Sequence, residues 1–120
     1  MLRNTKMLRR ADGESRKSVR VATLQAPEGP TLITFDYIAT DGTFIVRYNT
    51  VEMQRVTRSG DSDEAFIDRA VSHYKDAVVV YMLTKGKAAD KELAEHAIKG
   101  TIHAATTRAS KLLKELRGAQ

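Results

Sequence analysis

The chain has 120 residues, of which 42% are hydrophobic and 29% charged, so it fits one soluble domain with a core and not a disordered chain. It contains no cysteine, which excludes disulfides, thiolate metal sites and cysteine nucleophiles. No apolar run approaches the roughly 20 residues that cross a bilayer, and no apolar stretch follows the basic N-terminus as it does in a secretory signal. We therefore expect a protein of a reducing compartment, the cytoplasm, or of a lineage that does not use disulfides.

The net charge of +5 is concentrated at the start of the chain. Residues 1–20 contain two acids, Asp12 and Glu14, against seven basic side chains. The seven are Arg3, Lys6, Arg9, Arg10, Arg16, Lys17 and Arg20. The rest of the chain carries as many acids as bases, and a neutral body with a basic arm is typical of proteins that contact polyanions. The alternative is a solvated tail that aids solubility.

Residues 1–17 form a flexible basic arm in one interpretation and a weak hairpin around Asp12-Gly13 in another. The hairpin would place Arg9 opposite Arg16, and facing like charges destabilise a strand pair unless an anion lies across them. A third interpretation, an organellar targeting segment, rests on the lack of acids in the first eleven residues. Residues 18–120 are predicted to form a single α+β domain.

The sheet is predicted from alternating apolar residues. A first strand at about 18–24 precedes a loop that contains both prolines. A β-hairpin follows, because Asp41-Gly42, a favoured two-residue turn, separates the segments 31–39 and 43–51. With this turn at its centre, the hairpin pairs Tyr37 with Val46, Asp36 with Arg47 and Phe35 with Tyr48. The second strand could continue through 52–57, so the sheet has two to four antiparallel strands.

Strand alternation predicts which hairpin side chains share a face. One face collects Ile33, Phe35, Tyr37, Phe44, Val46 and Tyr48. The opposite face carries the Asp36–Arg47 pair among polar and apolar residues. The aromatic face is the predicted core face.

A first long helix is predicted after Gly60, with Asp61 as its N-cap and Glu64 three residues later. Its apolar stripe is Phe66, Ile67, Ala70, Val71, Tyr74, Ala77, Val78, Tyr81 and Met82. Lys85-Gly86-Lys87 ends the helix. Val79, Val80 and Leu83 are apolar on the side expected to be wet, so this end is either buried on all sides or contacts another chain. The segment 77–84 could also be a central strand, but the stripe that leads into it favours a helix.

A second long helix is predicted from about Asp90 to Arg117. A row of small residues along it, Ala97, Gly100, Thr101 and Ala104, would permit close approach of another helix. Both helices exceed the hairpin in length, and overhanging helix ends commonly dimerise. Arg108, Lys111 and Arg117 could form a basic helix edge, for which the alternative is a solvated face.

No motif of an enzyme or metal site appears in the chain. His96 and His103 lie seven residues apart on a helix, about 10 Å, which is too far to share one metal ion. Helix capping explains the acids Asp61, Asp63 and Glu64, and no phosphate-binding loop, nucleophile elbow or metal-protease motif is present. We expect no catalysis, no metal and no cofactor.

Two functional hypotheses remain. The first is a nucleic-acid-binding protein with little sequence specificity, whose phosphate contacts are the seven basic residues of positions 3–20 together with Arg55 and Arg58. The second is a self-associating structural or adaptor protein, such as a coat-like subunit or a protein-binding inhibitor. Its homo-oligomer interface would use Val79, Val80, Leu83, Ala97, Gly100 and Ala104. The two are compatible, because a coat-type protein can bind its genome through a basic arm.

Overall fold

Four antiparallel strands precede three helices in the computed structural model, which describes residues 18–26, 29 and 31–118. The strands are β1 (Ser18–Gln25), β2 (Leu32–Ile38), β3 (Thr43–Tyr48) and β4 (Val51–Thr57), and the helices are α1 (Asp63–Thr84), α2 (Lys91–Ala97) and α3 (Lys99–Gly118). The strands lie in the order β1-β2-β3-β4, so β1 and β4 are the edges of the sheet. The α+β prediction is confirmed, and the arm predicted for residues 1–17 lies outside the described residues.

The register of the β2–β3 hairpin differs from the prediction by two residues. Tyr37 faces Phe44, and Ile38 faces Thr43, across a four-residue loop. The type I′ turn that Asp-Gly favours needs a positive φ at both central residues, but in this loop only Gly42 has a positive φ, of 66°. The Gly42 N–H donates to the carbonyl of Ile38 at 2.8 Å. Because a shift of two residues is even, each side chain stays on its predicted face.

The second hairpin strand does not continue to Thr57, and that prediction is wrong. The chain reverses at Asn49-Thr50, whose φ angles of 52° and 72° fit a type I′ turn, and β4 pairs back onto β3. Two hydrogen bonds join Asn49 to Leu32 at the start of β2. The Asn49 N–H donates to the Leu32 carbonyl, and the Asn49 Oδ1 accepts from the Leu32 N–H, each at 2.7 Å. Asparagine tolerates this left-handed conformation, whereas threonine, which is β-branched, seldom adopts it.

An aromatic stack joins the sheet to α1. The Phe35 ring lies 5.2 Å from Phe44 and 5.3 Å from Tyr74, and Phe44 lies 5.0 Å from Phe66, all buried. Offset aromatic pairs of this kind add about 0.5–1.5 kcal/mol each beyond their buried area. The aromatic face of the hairpin is therefore the core face, as the alternation predicted.

The opposite side of β2 and β3 is also withdrawn from solvent. Its buried residues are Thr34, Asp36, Ile38, Thr43 and Ile45. Asp36 accepts hydrogen bonds from Arg20 of β1 and, at 3.1 Å, from Arg47 of β3. Two guanidinium groups thus compensate the burial of one carboxylate, as a buried charge requires.

Helix α1 begins one residue later than predicted and ends where predicted. Ser62 is the N-cap, and its Oγ accepts from the Ala65 N–H at 3.2 Å, while Asp61 instead accepts from the Arg69 side chain. At the other end Gly86 has a φ of 69°, and the Lys87 N–H donates to the Met82 carbonyl at 2.8 Å. This is a Schellman ending, and the segment 77–84 is helical.

The predicted second helix is interrupted at Ile98. Asp90 caps α2 through its side chain, which accepts from the Leu93 N–H at 2.9 Å. Ile98 leaves the helical region (φ −101°, ψ 9°) while its side chain stays buried, and α3 then begins. Gly100, a weak helix former, follows two residues later. The Ile102 N–H still donates to the Ile98 carbonyl at 2.9 Å, so helical hydrogen bonding resumes across the break.

Candidate nucleic-acid interface

Helix α3 lies beside the edge strand β1, and a groove separates them. Three cavities of about 260, 380 and 230 Å³ follow one another along it. The first and second share Arg20, Val21 and Arg108 in their linings, and the second and third share Thr101. The three cavities therefore adjoin one another between residues 19–26 and residues 98–115, and we call this series of cavities the β1–α3 groove.

One end of the groove is basic. Arg20 of β1 and the exposed side chains of Arg108 and Lys111 of α3 line it, together with one acid, Glu115. Among the residues that the structure describes, neither Arg108 nor Lys111 has an ion-pair partner, because Glu115 does not pair with them. Arg20 shares its charge with Asp36 while its side chain stays 54% exposed. This end therefore presents Arg108 and Lys111, which form no ion pair with the described residues, near one acid, Glu115, while Arg20 is paired with Asp36.

The local sequence explains why these side chains converge. Thr101, Ala104, Arg108 and Lys111 recur at helical spacing and so share one face of α3. In β1 the pairing with β2 shifts between Arg20 and Ala22, a bulge at Val21. Bulges bend a strand and re-aim its side chains, and here the extra residue, Val21, is buried. The bulge thus lies at the basic end of the groove.

The middle and far parts of the groove are less charged. Tyr74 lines the middle cavity from α1, and burial raises the pKa of its hydroxyl above the ordinary value. The far cavity is mostly apolar and is lined by Leu24, Gln25, Ala26, Val78, Tyr81, Met82, Lys87, Ile98 and Thr101. The groove therefore passes from a cationic end to an apolar end over the length of β1.

The other predicted phosphate contacts are not brought together with this groove. Arg55 lies on β4, at the opposite edge of the sheet, and binds Glu52 through two hydrogen bonds of 3.0 and 3.1 Å. Arg58 donates to Asp63 at 2.6 Å and lies 4.8 Å above the Phe66 ring. Hydrogen bonds from Arg58 and Arg117 hold the pKa of Asp63 below its ordinary value. Both predicted contacts therefore already have anionic partners within the chain.

Of the seven basic residues at positions 3–20, the structure describes Arg20. Arg3, Lys6, Arg9, Arg10, Arg16 and Lys17 lie outside the described residues. In the sequence, Arg16 and Lys17 directly precede β1, and Arg20 is the third residue of that strand. The strand that follows the predicted arm therefore begins at the basic end of the groove.

The residues predicted for a homo-oligomer interface fall into two groups. Val79 is buried within one chain, which agrees with the first of the two alternatives for this end of the helix, because α1 is covered by α2 and α3 as well as by the sheet. Val80 and Leu83 are exposed by 58% and 39%. Ala97, Gly100 and Ala104 are exposed as well, and Ala104 lines the groove.

Within residues 18–26, 29 and 31–118, no group of three or more His, Cys, Asp or Glu side chains is placed to hold a metal ion. No helix in that part of the chain is long and apolar enough to cross a membrane. No protein-family model, curated protein or solved structure matches the chain. Function is therefore inferred from the chemistry of the groove alone.

Proposed function

We propose that the protein binds nucleic acid by holding backbone phosphates in the β1–α3 groove, with little sequence specificity and without catalysing a reaction. The observation that supports this most is the pair Arg108 and Lys111, which have no ion-pair partner among the described residues and face the groove beside Arg20. Cations that form no ion pair with the described residues can replace the counterions around a phosphate backbone.

The distribution of charge along the chain supports the same surface. Six further basic residues precede β1 in the sequence, and β1 begins at the basic end of the groove. Helix α3 adds an excess of cations, and its one acid after residue 98 is Glu115. An arm and a groove that meet at one place can track a backbone over more phosphates than either alone, which strengthens the electrostatic attraction.

The aromatic residues of the groove argue against base recognition. Tyr74 and Tyr81 line it but are 0% and 4% exposed, so neither offers a free ring on which a base could stack. Base edges and stacked bases carry sequence information, whereas phosphate contacts fix position only. Binding through the groove is therefore expected to be nearly independent of sequence.

The test is fluorescence anisotropy with labelled 20-nucleotide single strands and 20-base-pair duplexes of two unrelated sequences, titrated at 50 to 200 mM salt. We expect binding that weakens steadily with salt and differs little between the sequences. Three phosphate contacts in the groove alone would give a slope of about −2 in the plot of log affinity against log salt on a single strand, and contacts made by the arm would make the slope steeper. No binding at 50 mM salt would contradict the proposal.

Deleting residues 1–17 is expected to weaken binding at least about tenfold and to flatten the salt dependence, because it removes six cations and two acids. The same anisotropy titration measures it. The melting temperature of the truncated protein serves as the control for folding. An unchanged affinity would show that the arm makes no phosphate contact.

A second candidate function is self-association through the helices, as in a coat-like subunit or an adaptor. Exposed Val80 and Leu83 on α1 favour it, since large apolar side chains in solvent mark interaction surfaces when they cluster. Replacing Val80 with lysine is expected to shift an oligomer toward monomer in light scattering. The same change at Val51, 61% exposed on β4, is the matched control. A wild-type protein that is monomeric at high concentration would contradict this candidate.

A further inference from the structure

Tyr74 carries a buried hydroxyl without a hydrogen-bond partner among the described residues. Its ring stacks on Phe35 at 5.3 Å and 14° between planes, and the whole side chain is 0% exposed. Buried hydroxyl groups are nearly always hydrogen-bonded, because an unpaired one loses its bond to water without compensation. An exception in the middle of a protein calls for a partner that the described residues do not supply.

The position of this hydroxyl indicates what the partner is. Tyr74 lines the middle cavity of the β1–α3 groove, about 380 Å³, which Arg20 and Arg108 also line. Burial raises the pKa of the hydroxyl, so it keeps its proton throughout the neutral range and can act as a donor. A protonated donor in a cavity that is also lined by Arg108, a cation without an ion-pair partner among the described residues, is complementary to an oxygen that is both an acceptor and negatively charged.

We propose that the middle cavity is a phosphate subsite in which Tyr74 donates a hydrogen bond to a phosphodiester oxygen of single-stranded nucleic acid. This rests on the proposed function and names the ligand class of the same groove. The hydroxyl lies below the surface, so the phosphate must descend between β1 and α3. A single strand can turn one phosphate inward, whereas a duplex holds its phosphates on a rigid outer surface and reaches the exposed cations only.

The subsite is tested with Tyr74→Phe, which removes the hydroxyl and keeps the ring. Anisotropy titrations with a labelled single strand and a labelled duplex are run on the variant and on the wild type. We expect about tenfold weaker binding of the single strand, the effect of losing a hydrogen bond to a charged group, and unchanged binding of the duplex. The melting temperature should stay equal or rise, because an unpaired buried hydroxyl is removed.

Tyr37→Phe is the matched control, since Tyr37 is another buried core tyrosine whose pKa is raised by burial but which does not line the groove. It should leave both affinities unchanged. Ala104→Leu is a second variant, because it fills the middle cavity from an exposed helix position and should also weaken single-strand binding.

The outcomes separate the subsite from the proposed function. If the wild type binds single strands and both Tyr74→Phe and Ala104→Leu bind them as tightly, the subsite is overturned, while phosphate binding by the groove stands. That result is expected if a water molecule forms the hydrogen bond with the Tyr74 hydroxyl. Equal losses on single strand and duplex overturn the preference for single strands. A wild type that binds neither nucleic acid overturns both proposals.

Discussion

Replacing Asp36 with alanine is expected to lower the free energy of unfolding by about 3 kcal/mol. The carboxylate is 4% exposed and accepts from two guanidinium groups, one on each neighbouring strand. Without it, Arg47, whose side chain is 28% exposed, keeps a charge that has lost its partner. The Arg20 side chain is 54% exposed, so water compensates part of the charge that has lost its partner. The expected loss of stability is therefore at the low end for a broken buried ion pair.

Urea denaturation measures this effect, with an unchanged slope as the sign that the folded state is otherwise intact. Asp76→Ala is the matched control, because Asp76 is exposed on α1 and has no ion-pair partner in the described part of the chain. Its expected change is within about 0.5 kcal/mol. Similar losses for the two variants would mean that the pairs of Asp36 with Arg20 and Arg47 do not hold the three strands together.

Replacing Arg108 and Lys111 together with glutamine is expected to weaken nucleic-acid binding about 25-fold at 0.1 M salt. Each phosphate contact to a single strand releases about 0.7 of a counterion, which is worth about fivefold in affinity at that salt. Neither side chain has an ion-pair partner among the described residues, so their removal should leave the melting temperature nearly unchanged. Anisotropy titration measures the loss.

The matched control removes the same charge elsewhere. Lys91 and Lys99 are exposed on α2 and α3 and line neither the basic nor the middle cavity of the groove. Replacing both with glutamine lowers the net charge by the same two units, and we expect less than a threefold loss from the weaker overall field. Equal losses for the two double variants would indicate attraction by net charge and no site in the groove.

Much of the fold follows from the periodicity of apolar residues. Alternation identified the core face of the hairpin, and the 3–4 spacing identified the buried face of α1, because both patterns report directly which side chains leave water. Turn geometry was predicted less well. The dipeptide Asp41-Gly42 is compatible with a hairpin loop of two residues and with one of four, so it does not decide the register. Thr50 has no preference for the left-handed conformation that it adopts.

The groove could be predicted only in part. The spacing of Arg108 and Lys111 indicated a basic edge on the last helix, and the sequence showed the cations that surround Arg20. Their meeting depends on where α3 lies against the sheet, which is set by the packing of Ala105, Ala109 and Leu113 into the core. The same long-range packing buries Val79. Local sequence patterns do not contain such information, because several helix placements bury the same stripe.

The most direct test of the groove as the binding site is a two-dimensional amide NMR titration of the 13.3 kDa protein with a 20-nucleotide single strand. We expect the largest chemical-shift changes at residues 20–23 and 101–111, the two walls of the groove, and small changes along β4 and α2. Shifts concentrated around Arg55 and Arg58, or no shifts at 50 mM salt, would contradict the account.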